Sequence, residues 1–560
     1  MQKRRGLFAA VLATICACGE EAVQADAPLL VRTADGRVKG FHQGNARVFL
    51  GIRFAAAPVG DLRFALPAAP AKWSHTLDAT RLSAKCIQTT KKGNPEQAQS
   101  EDCLYLNVFA PRSNRSALLP VVVYIHGGGQ QTGCSGDFRA GNLASFGEGA
   151  VVVVIQYRLN VFGYWLHEPL LSSGTSNLGL QDQLQALRWV QANARAFGGD
   201  PGAVMVAGQS SGCSAVGFHL VYRPSWSLYH RAAMMSCAMN DWRPKSGLLA
   251  DGITLARALG CAGGGSSAAV LPCMRAANAT AVFGALLRTP GVKFEPCYNC
   301  NEIPTHPLAL MRAGQVNRGA DIMLGNARYE HGATAAYSAF GLPNSTVTSS
   351  QYEQAVGHLV KGNTSTVSAA IARYAPLADK VGYWFALATM NSHSNVVCGQ
   401  QYQSTWLAAL RRNASLFRYV FTHVTGDWPQ RFENATHTAG LPYLFRNVST
   451  LDWFLGYRSF NPQESELSDR MAVAWRNFAR SGDPNSDARE HKQRSAHAGR
   501  AAPLLLPPVV SGWKQFDDAG NFTLVLDYPP KQMQDGTEWF DTNAPFCSFW
   551  QKRFIGPFPP

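Results

Sequence analysis

Residues 203–212 read Ala-Val-Met-Val-Ala-Gly-Gln-Ser-Ser-Gly, a short apolar run followed at once by a Gly-x-Ser-x-Gly motif centred on Ser210. The apolar run is typical of a buried strand, and the small residues after it allow a helix to start close by. Such a strand–turn–helix connection raises a serine hydroxyl above the edge of a sheet. The motif alone is a weak signal in a chain with 51 glycines, so its position after the strand carries the prediction of a nucleophilic serine.

Similar apolar runs recur along the chain, with longer helical patterns between them. Four more of these runs lie at residues 121–125, 151–155, 322–324 and 417–421. Runs of this length that are rich in valine and isoleucine are typical of strands covered on both faces in a parallel sheet. Residues 177–196 carry leucines at helical spacing and precede two glycines that act as a stop. The sequence therefore predicts an α/β fold with a central, mostly parallel sheet flanked by helices.

A nucleophilic serine also needs donors for the oxyanion that forms when it attacks a carbonyl. The run at 121–125 ends in His126 and three glycines, whose backbone N–H groups can approach a substrate oxygen closely. We expect Gly128, Gly129 and Ser211 to form this oxyanion hole. A phosphate-binding role for the glycines is rejected because no lysine follows at the required spacing.

A base must remove the serine proton, and an acid must orient that base. Open α/β sheets keep their active sites at the carboxyl ends of the strands, and the expected chain order is nucleophile, acid, base. Glu330 follows the fourth apolar run and His437 follows the last one. From the residues alone, other carboxylates stay open as the acid, and His331 and His423 stay open as the base.

Composition and the N-terminus favour an exported globular protein. Of 560 residues, 46% are hydrophobic and 16% are charged, which is too apolar for a disordered chain. The net charge of +14 accompanies no nucleic-acid-binding module, so we expect no nucleic-acid partner. Residues 1–25 combine basic residues, a short apolar run and small residues before Asp26, which is typical of a secretory signal. A lipoprotein signal around Cys16 and Cys18 fits less well, and no later run is long enough to span a membrane.

Beyond these motifs, the chain resembles the type-B carboxylesterase family of α/β-hydrolases, which includes the cholinesterases. The resemblance rests on two long signatures, residues 101–111 and residues 197–212, and on shorter matches between about residues 28 and 555. Length alone suggests about three or four domains. The resemblance instead implies one α/β-hydrolase domain over residues 26–560, with large loop insertions.

The same resemblance assigns roles to single residues. It implies a triad with Ser210 as nucleophile, Glu330 as acid and His437 as base, with Ser236 behind the site. It implies no cofactor and no metal. Three disulfides are also implied by the resemblance: Cys86–Cys103, Cys261–Cys273 and Cys398–Cys547.

The cysteine count is odd once the signal is removed. Without Cys16 and Cys18, eleven of the 13 cysteines are left, so we expect at least one unpaired thiol. The resemblance leaves five without a partner: Cys134, Cys213, Cys237, Cys297 and Cys300. Cys297 and Cys300 form a Cys-x-x-Cys that suits a small disulfide, a redox pair or half of a metal site. Because no second cysteine pair stands at the spacing of a zinc site, we favour a disulfide or two unpaired thiols for Cys297 and Cys300.

Several residues depart from the family pattern and bear on the substrate. Gln209 stands where many relatives have Glu, so we expect a less negative site. Gln130 replaces an aromatic residue and is expected to open or polarise the pocket wall. Residues 438–440 replace a more usual Gly-x-Glu. Ala333 and Thr334 stand where cholinesterases carry the aromatic faces that bind a quaternary ammonium, so we do not expect a choline-ester specialist.

Two further patterns in the sequence concern the surface of the protein. Eight Asn-x-Ser/Thr sequons are candidate glycosylation sites in a eukaryotic secretory route. They lie at Asn114, Asn278, Asn344, Asn363, Asn413, Asn434, Asn447 and Asn521. The basic stretch 486–502 has scarcely a large apolar side chain, which predicts a disordered, solvated insertion, with a docking role as the alternative.

Together these features predict a secreted serine esterase that hydrolyses small-molecule carboxylic esters through an acyl-enzyme intermediate. Activity is expected to fall below about pH 6 to 7, where histidine protonates. One alternative is a non-catalytic binding or adhesion protein on the same scaffold, although such proteins usually lack a triad member. Another is a lipase-type or thioesterase-type specialist. The oligomeric state is left open.

Overall fold

The computed structural model describes most of the chain after residue 28. The described residues are 29–89, 97–112, 117–262, 267–330, 347–360, 364–410, 414–426, 435–451, 459–485, 512–517, 520–533 and 546–551. The predicted signal at residues 1–25 and the basic stretch 486–502 lie outside these ranges, so both stay predictions. Further residues named above also lie outside them: His331, Ala333, Thr334, Asn114, Asn344, Asn363, Asn413 and Asn434.

The described strands run from near the start of this region to near its end. Their bounds are β1 Leu29–Arg32, β2 Arg37–Gln43, β3 Ala46–Arg53, β4 Thr76–Asp78, β5 Lys85–Cys86, β6 Gln99–Ser100, β7 Tyr105–Pro111, β8 Leu119–Ile125, β9 Val151–Ile155, β10 Gly199–Gln209, β11 Arg231–Met235, β12 Arg243–Pro244, β13 Cys297–Tyr298, β14 Asp321–Ala327, β15 Leu416–Phe421, β16 Thr523–Leu526 and β17 Lys531–Met533.

One large sheet contains most of these strands, while β5 pairs with β6 and β12 pairs with β13 in two small sheets. The order of the large sheet is β1-β2-β3-β7-β9-β8-β10-β11-β14-β15-β16-β17, and β4 pairs with β2. Every pair from β9 to β16 along this order is parallel, whereas the pairs from β1 to β9 and the pair of β16 with β17 are antiparallel. The prediction of an α/β fold with a mostly parallel central sheet is therefore confirmed.

Helices connect the parallel strands. Their bounds are α1 Gly141–Ser145, α2 Asn160–Tyr164, α3 Glu168–Ser172, α4 Leu178–Asn193, α5 Ser211–Val221, α6 Lys245–Ala258, α7 Ser267–Ala276, α8 Ala279–Arg288, α9 Pro307–Arg312, α10 Ser349–Val360, α11 Thr364–Ser392, α12 Cys398–Leu410, α13 Leu441–Phe445 and α14 Pro462–Ser481. The helix predicted over residues 177–196 corresponds to α4 and the 3₁₀ turn that follows it to Phe197. A π-helical turn joins α11 to α12.

The five apolar runs found in the sequence form β8, β9, β10, β14 and β15. All residues of β8, β9 and β15 are buried, because helices and loops cover both faces of the sheet. Two large hydrophobic clusters result. Val121 and Val123 belong to one cluster and Val122 and Tyr124 to the other, as expected when successive side chains of a strand point to opposite faces.

Within the described residues, no single helix is long and apolar enough to cross a membrane. One pair of helical segments, Ala268–Ala276 and Ala279–Arg288, passes that test only when combined, and the two segments are bent by 109°.

Candidate active site

Ser210 lies at a sharp turn between β10 and α5. Its backbone has φ 60° and ψ −128°, a conformation that residues with a side chain adopt at an energetic cost and that often marks functional sites. The Ser210 N–H donates to the Met235 carbonyl at the end of β11 over 2.9 Å. Its own carbonyl accepts from Ser214 N over 3.1 Å, within the first turn of α5. The predicted strand–turn–helix connection is therefore present.

The two glycines of the motif are required because backbone passes close to both. A Cβ on Gly208 would lie 2.3 Å from the Gly212 carbonyl oxygen, and a Cβ on Gly212 would lie 2.2 Å from the Ile125 carbonyl oxygen. Neither position has room for a side chain. This close packing explains why the motif needs glycine two residues before and two residues after the serine.

The glycine loop after β8 is held against the start of α5. Gly128 and Gly129 have φ values of 118° and 65° and are exposed, which leaves their backbone accessible beside Ser211. Gln130 fixes the loop: its backbone N–H donates to Ser211 Oγ over 3.1 Å, and its side-chain amide donates to the Ser211 carbonyl over 3.0 Å. The Tyr164 hydroxyl donates to Gln130 Oε1 over 2.8 Å.

These contacts correct one expectation about Gln130. The side chain is fully buried within this network, so it does not form the pocket wall that was expected from its position after the glycines. A carboxamide can both donate and accept, which lets it satisfy Ser211 and Tyr164 at once. Its role in the structure is to join the glycine loop to α5.

Glu330 and His437 meet beyond the ends of β14 and β15. Glu330 Oε2 accepts a hydrogen bond from His437 Nδ1, and Oε1 accepts one from Ala327 N over 2.7 Å. The backbone N–H of His437 also donates to the backbone carbonyl of Glu330 over 3.1 Å. Glu330 is fully buried, and the His437 side chain is 13% exposed. A buried carboxylate with both oxygens bonded can hold an imidazole in one orientation.

His423, the described alternative for the base, is engaged elsewhere. Its Nδ1 lies 2.9 Å from Asp527 Oδ1, and its Nε2 lies 3.4 Å from Glu464 Oε1. Burial by itself lowers the pKa of His423, but the hydrogen bonds and charges of the two carboxylates outweigh burial and raise it. Its ring therefore binds β16 and α14 together. His331 lies outside the described residues.

Sequence reasoning missed a contact between Gln209 and the ring of His437. Gln209 Nε2 lies 3.1 Å from His437 Nε2 and 3.5 Å from His437 Nδ1. Gln209 also borders a cavity of about 30 Å³ behind the site, which has room for one or two water-sized groups. Other residues that line this cavity include Ser236, Asn326, Thr438 and Gly440.

Cross-links surround the site. The structure forms the three disulfides that the resemblance implied, together with Cys297–Cys300 and Cys213–Cys237. The Cys213–Cys237 disulfide was missed because no spacing rule connects its two cysteines. It joins the first turn of α5 to the segment after β11, directly beside Ser236. Cys134 is buried and belongs to none of these disulfides.

Two ionisable groups contact α5 and the glycine loop. Asp241 accepts a hydrogen bond from Ser214 Oγ over 2.6 Å, and burial raises the pKa of Asp241 to about 6. Burial lowers the pKa of His126 to about 4, so this imidazole is neutral at pH 7. Its ring stacks on Tyr157, whose hydroxyl donates to the His126 carbonyl over 2.7 Å. These groups buttress α5 and the glycine loop.

Comparison with known proteins identifies the family. The model of the Carboxylesterase family matches residues 27–545. The chain is 31% identical over 500 residues to acetylcholinesterase of Bungarus fasciatus, a match that covers 82% of this chain and 79% of that protein. It is 29% identical over 546 residues to acylcarnitine hydrolase of Mus musculus, covering 90% of this chain and 92% of that protein.

A shorter and more similar match is to fumonisin B1 esterase of Sphingopyxis macrogoltabida, with 42% identity over 223 residues, 38% of this chain and 41% of that protein. The fold agrees with these matches, because the family is one of α/β-hydrolases and the chain has the corresponding parallel sheet and helices. From the family match over most of its length, the chain belongs to the carboxylesterase family and is a carboxylic ester hydrolase.

Proposed function

We propose that this protein is a secreted serine esterase with Ser210 as nucleophile, His437 as general base and Glu330 as the acid that orients it. The proposal is supported above all by the contact between Glu330 and His437 at the same sheet edge at which Ser210 occupies its strained turn. Ser210, Glu330 and His437 follow strands that are neighbours in the sheet, since β10, β11, β14 and β15 lie side by side in this order and are parallel. Their carboxyl ends therefore meet at one edge.

The reaction then follows from the chemistry of these groups. His437 Nε2 accepts the Ser210 proton as Oγ attacks the ester carbonyl, while Nδ1–H stays hydrogen-bonded to Glu330. The backbone N–H groups of Gly128, Gly129 and Ser211 stabilise the oxyanion of the tetrahedral intermediate. His437 returns the proton to the leaving alcohol. Water then attacks the acyl-enzyme by the same route and releases the acid.

The proposed substrates are small-molecule carboxylic esters. The names of the relatives span acetylcholine, acylcarnitine and fumonisin B1, so family membership alone does not select an alcohol. We keep the prediction that this chain is not a choline-ester specialist, although Ala333 and Thr334 lie outside the described residues. A panel of aryl acetates, butyrates and octanoates beside acetylcholine and an acylcarnitine tests it: the aryl esters should be turned over with the higher kcat/KM. A kcat/KM for acetylcholine above that for every other ester would contradict the prediction.

Export and a single domain belong to the same proposal. Five disulfides support an oxidising compartment, because cytosolic thiols are normally kept reduced. The single domain over residues 26–560 is supported by one sheet whose strands extend from Leu29 to Met533. N-terminal sequencing of the exported protein should begin at Asp26. A mature chain that begins elsewhere would place the cleavage site differently.

Covalent labelling tests the nucleophile. Mass mapping after exposure to a fluorophosphonate should find one adduct on Ser210, and Ser210→Ala should lose the adduct and at least about a thousandfold in kcat. Ser172→Ala, which changes an exposed serine on α3, should keep both. Full esterase turnover by Ser210→Ala would overturn the mechanism. A folded wild-type protein that is neither labelled nor active would instead favour the non-catalytic binding protein.

A further inference from the structure

The glycine loop, residues 127–129, is packed against the nucleophile at its start but not at its end. A Cβ on Gly127 would lie 3.0 Å from Ser210 Cβ, so close packing fixes the start of the loop. A Cβ on Gly129 would meet no atom of the described residues within 4 Å. The position of the loop end therefore depends on the residue that follows it, Gln130.

Gln130 supplies hydrogen bonds where the loop end lacks packing. It is fully buried, and its backbone N–H and its side-chain amide donate to Ser211 Oγ and to the Ser211 carbonyl over 3.1 and 3.0 Å. On its other side, Oε1 accepts from the Tyr164 hydroxyl over 2.8 Å, and the backbone carbonyl accepts from Asn160 N over 2.8 Å. Asn160 and Tyr164 are the first and last residues of α2. Gln130 thus connects the start of α5 to α2 through both backbone groups and both ends of its amide.

The backbone of Gln130 also depends on these contacts. Its φ of 60° lies in the left-handed region, which residues with a side chain adopt at an energetic cost. Such a conformation persists where the surrounding structure holds it in place. Here the hydrogen bonds to α5 and α2 do so, and removing the amide would leave the conformation less well supported.

The turn that contains Gln130 also orients a peptide of the glycine loop. The Gly128 carbonyl accepts from Gln131 N and from Thr132 N, each over 3.1 Å. In a trans peptide the C=O and the N–H point to opposite sides, so the N–H of Gly129 points away from these two donors. Both glycines are exposed, as a loop that binds a substrate oxygen requires.

We propose that Gln130 is a positioning residue of the oxyanion hole: its hydrogen bonds hold the N–H groups of the glycine loop in a fixed position relative to the N–H of Ser211. This inference rests on the proposed function, in which Gly128, Gly129 and Ser211 bind the oxyanion. Gln130 is buried and acts through these residues. Oxyanion donors stabilise the transition state more than the bound ester. A displaced donor therefore lowers kcat and leaves KM nearly unchanged.

Gln130→Met tests this inference, because it keeps the backbone N–H and a side chain of similar length but removes the amide. We expect kcat for an aryl acetate to fall roughly 10- to 100-fold, with KM within about twofold of wild type. An aryl trifluoromethyl ketone, whose adduct with the serine carries an oxyanion, should bind more weakly by the same factor as kcat/KM falls. Gln403→Met, which changes a buried glutamine on α12, is the matched control and should keep wild-type kcat.

Two outcomes would overturn the inference: a folded Gln130→Met with kcat within about twofold of wild type, or an equal loss of kcat in Gln403→Met, as a general effect of losing a buried amide would give. If Gln130→Met fails to fold, Tyr164→Phe decides, because it removes the hydroxyl that anchors the amide oxygen. A lower kcat at unchanged KM then supports the inference, and wild-type kcat contradicts it. Failure of the proposed function is separate, because it would show as an unlabelled Ser210 in the wild-type enzyme.

Discussion

Glu330 is a buried carboxylate with a separate hydrogen-bond partner for each of its two oxygens. Burying a carboxylate is costly unless its oxygens are hydrogen-bonded, and each oxygen of Glu330 has its own partner. Oε1 accepts from Ala327 N, which anchors the side chain to the end of β14, and Oε2 accepts from His437 Nδ1. One oxygen therefore fixes the carboxylate to the sheet, and the other fixes the orientation of the ring.

Glu330→Gln should separate charge from shape. An amide of the same size can still accept from Ala327, but it cannot stabilise the imidazolium that forms in the transition state. We expect kcat to fall roughly 10³–10⁴-fold with KM nearly unchanged. Glu466→Gln, a change in a surface carboxylate that pairs with Arg470, is the matched control and should keep wild-type kcat. A loss smaller than about tenfold for Glu330→Gln would remove Glu330 from the proposed mechanism.

At the scale of secondary-structure elements, contacts between the ends of strands and helices stabilise the edge of the sheet at which the candidate active site lies. His423, just after β15, lies between Asp527 at the end of β16 and Glu464 in the first turn of α14. Glu464 also completes a capping box with Asn461, which fixes the start of α14. Three elements that come from distant parts of the chain thus meet at one imidazole. His423 is therefore a structural histidine of this edge.

This arrangement predicts how stability varies with pH. The pKa of His423 is raised in the folded protein, so the folded state binds the proton more tightly than the unfolded state does. The stabilisation is therefore complete below the unfolded value of about 6.5 and is lost as the pH rises through the folded pKa. We expect His423→Gln to lower Tm more at about pH 6 than at about pH 8.5.

His75→Gln, which changes an exposed histidine, should show no such difference between the two pH values. Thermal unfolding followed by circular dichroism at both pH values makes the comparison. An equal loss of Tm for His423→Gln at both would mean that the protonated ring does not bridge the two carboxylates.

At the scale of the whole molecule, disulfides connect regions that are far apart in sequence. Cys398, at the start of α12, is joined to Cys547 over a separation of 149 residues. The Tyr402 hydroxyl donates to the Cys547 carbonyl over 3.0 Å, so α12 also holds this C-terminal segment by a hydrogen bond. By contrast, Cys297–Cys300 spans 3 residues. The two cross-links therefore constrain the unfolded chain very differently.

Removing the two disulfides should cost very different amounts of stability. In the chain-entropy description, Cys398→Ala with Cys547→Ala should lower the free energy of unfolding by roughly 5 kcal/mol, against roughly 2 kcal/mol for Cys297→Ala with Cys300→Ala. The first loss is comparable to the whole stability of many domains. Urea unfolding of both double variants measures the difference. Equal midpoints for the two would show that the long cross-link does not act through the unfolded chain.

The extent of prediction differed from element to element. The strands β8, β9, β10, β14 and β15 were found because each contains a continuous apolar run, which is enough to identify a strand covered on both faces. The strand β11 was missed, since Arg-Ala-Ala-Met-Met has little β propensity and forms a strand only between β10 and β14. Yet the Met235 carbonyl at its end accepts the hydrogen bond from Ser210.

By itself, the sequence indicated the turn at Ser210 and the glycine loop, because each is marked by glycines directly after an apolar run. The residues alone left the acid and the base open, and only the resemblance implied Glu330 and His437. The contact between these two, the engagement of His423 elsewhere and the Cys213–Cys237 disulfide are features of the tertiary structure. The contact of Gln209 with His437 joins residues 228 positions apart. Such contacts follow from the order and register of the strands, and those are set by packing over the whole sheet rather than by neighbours in sequence.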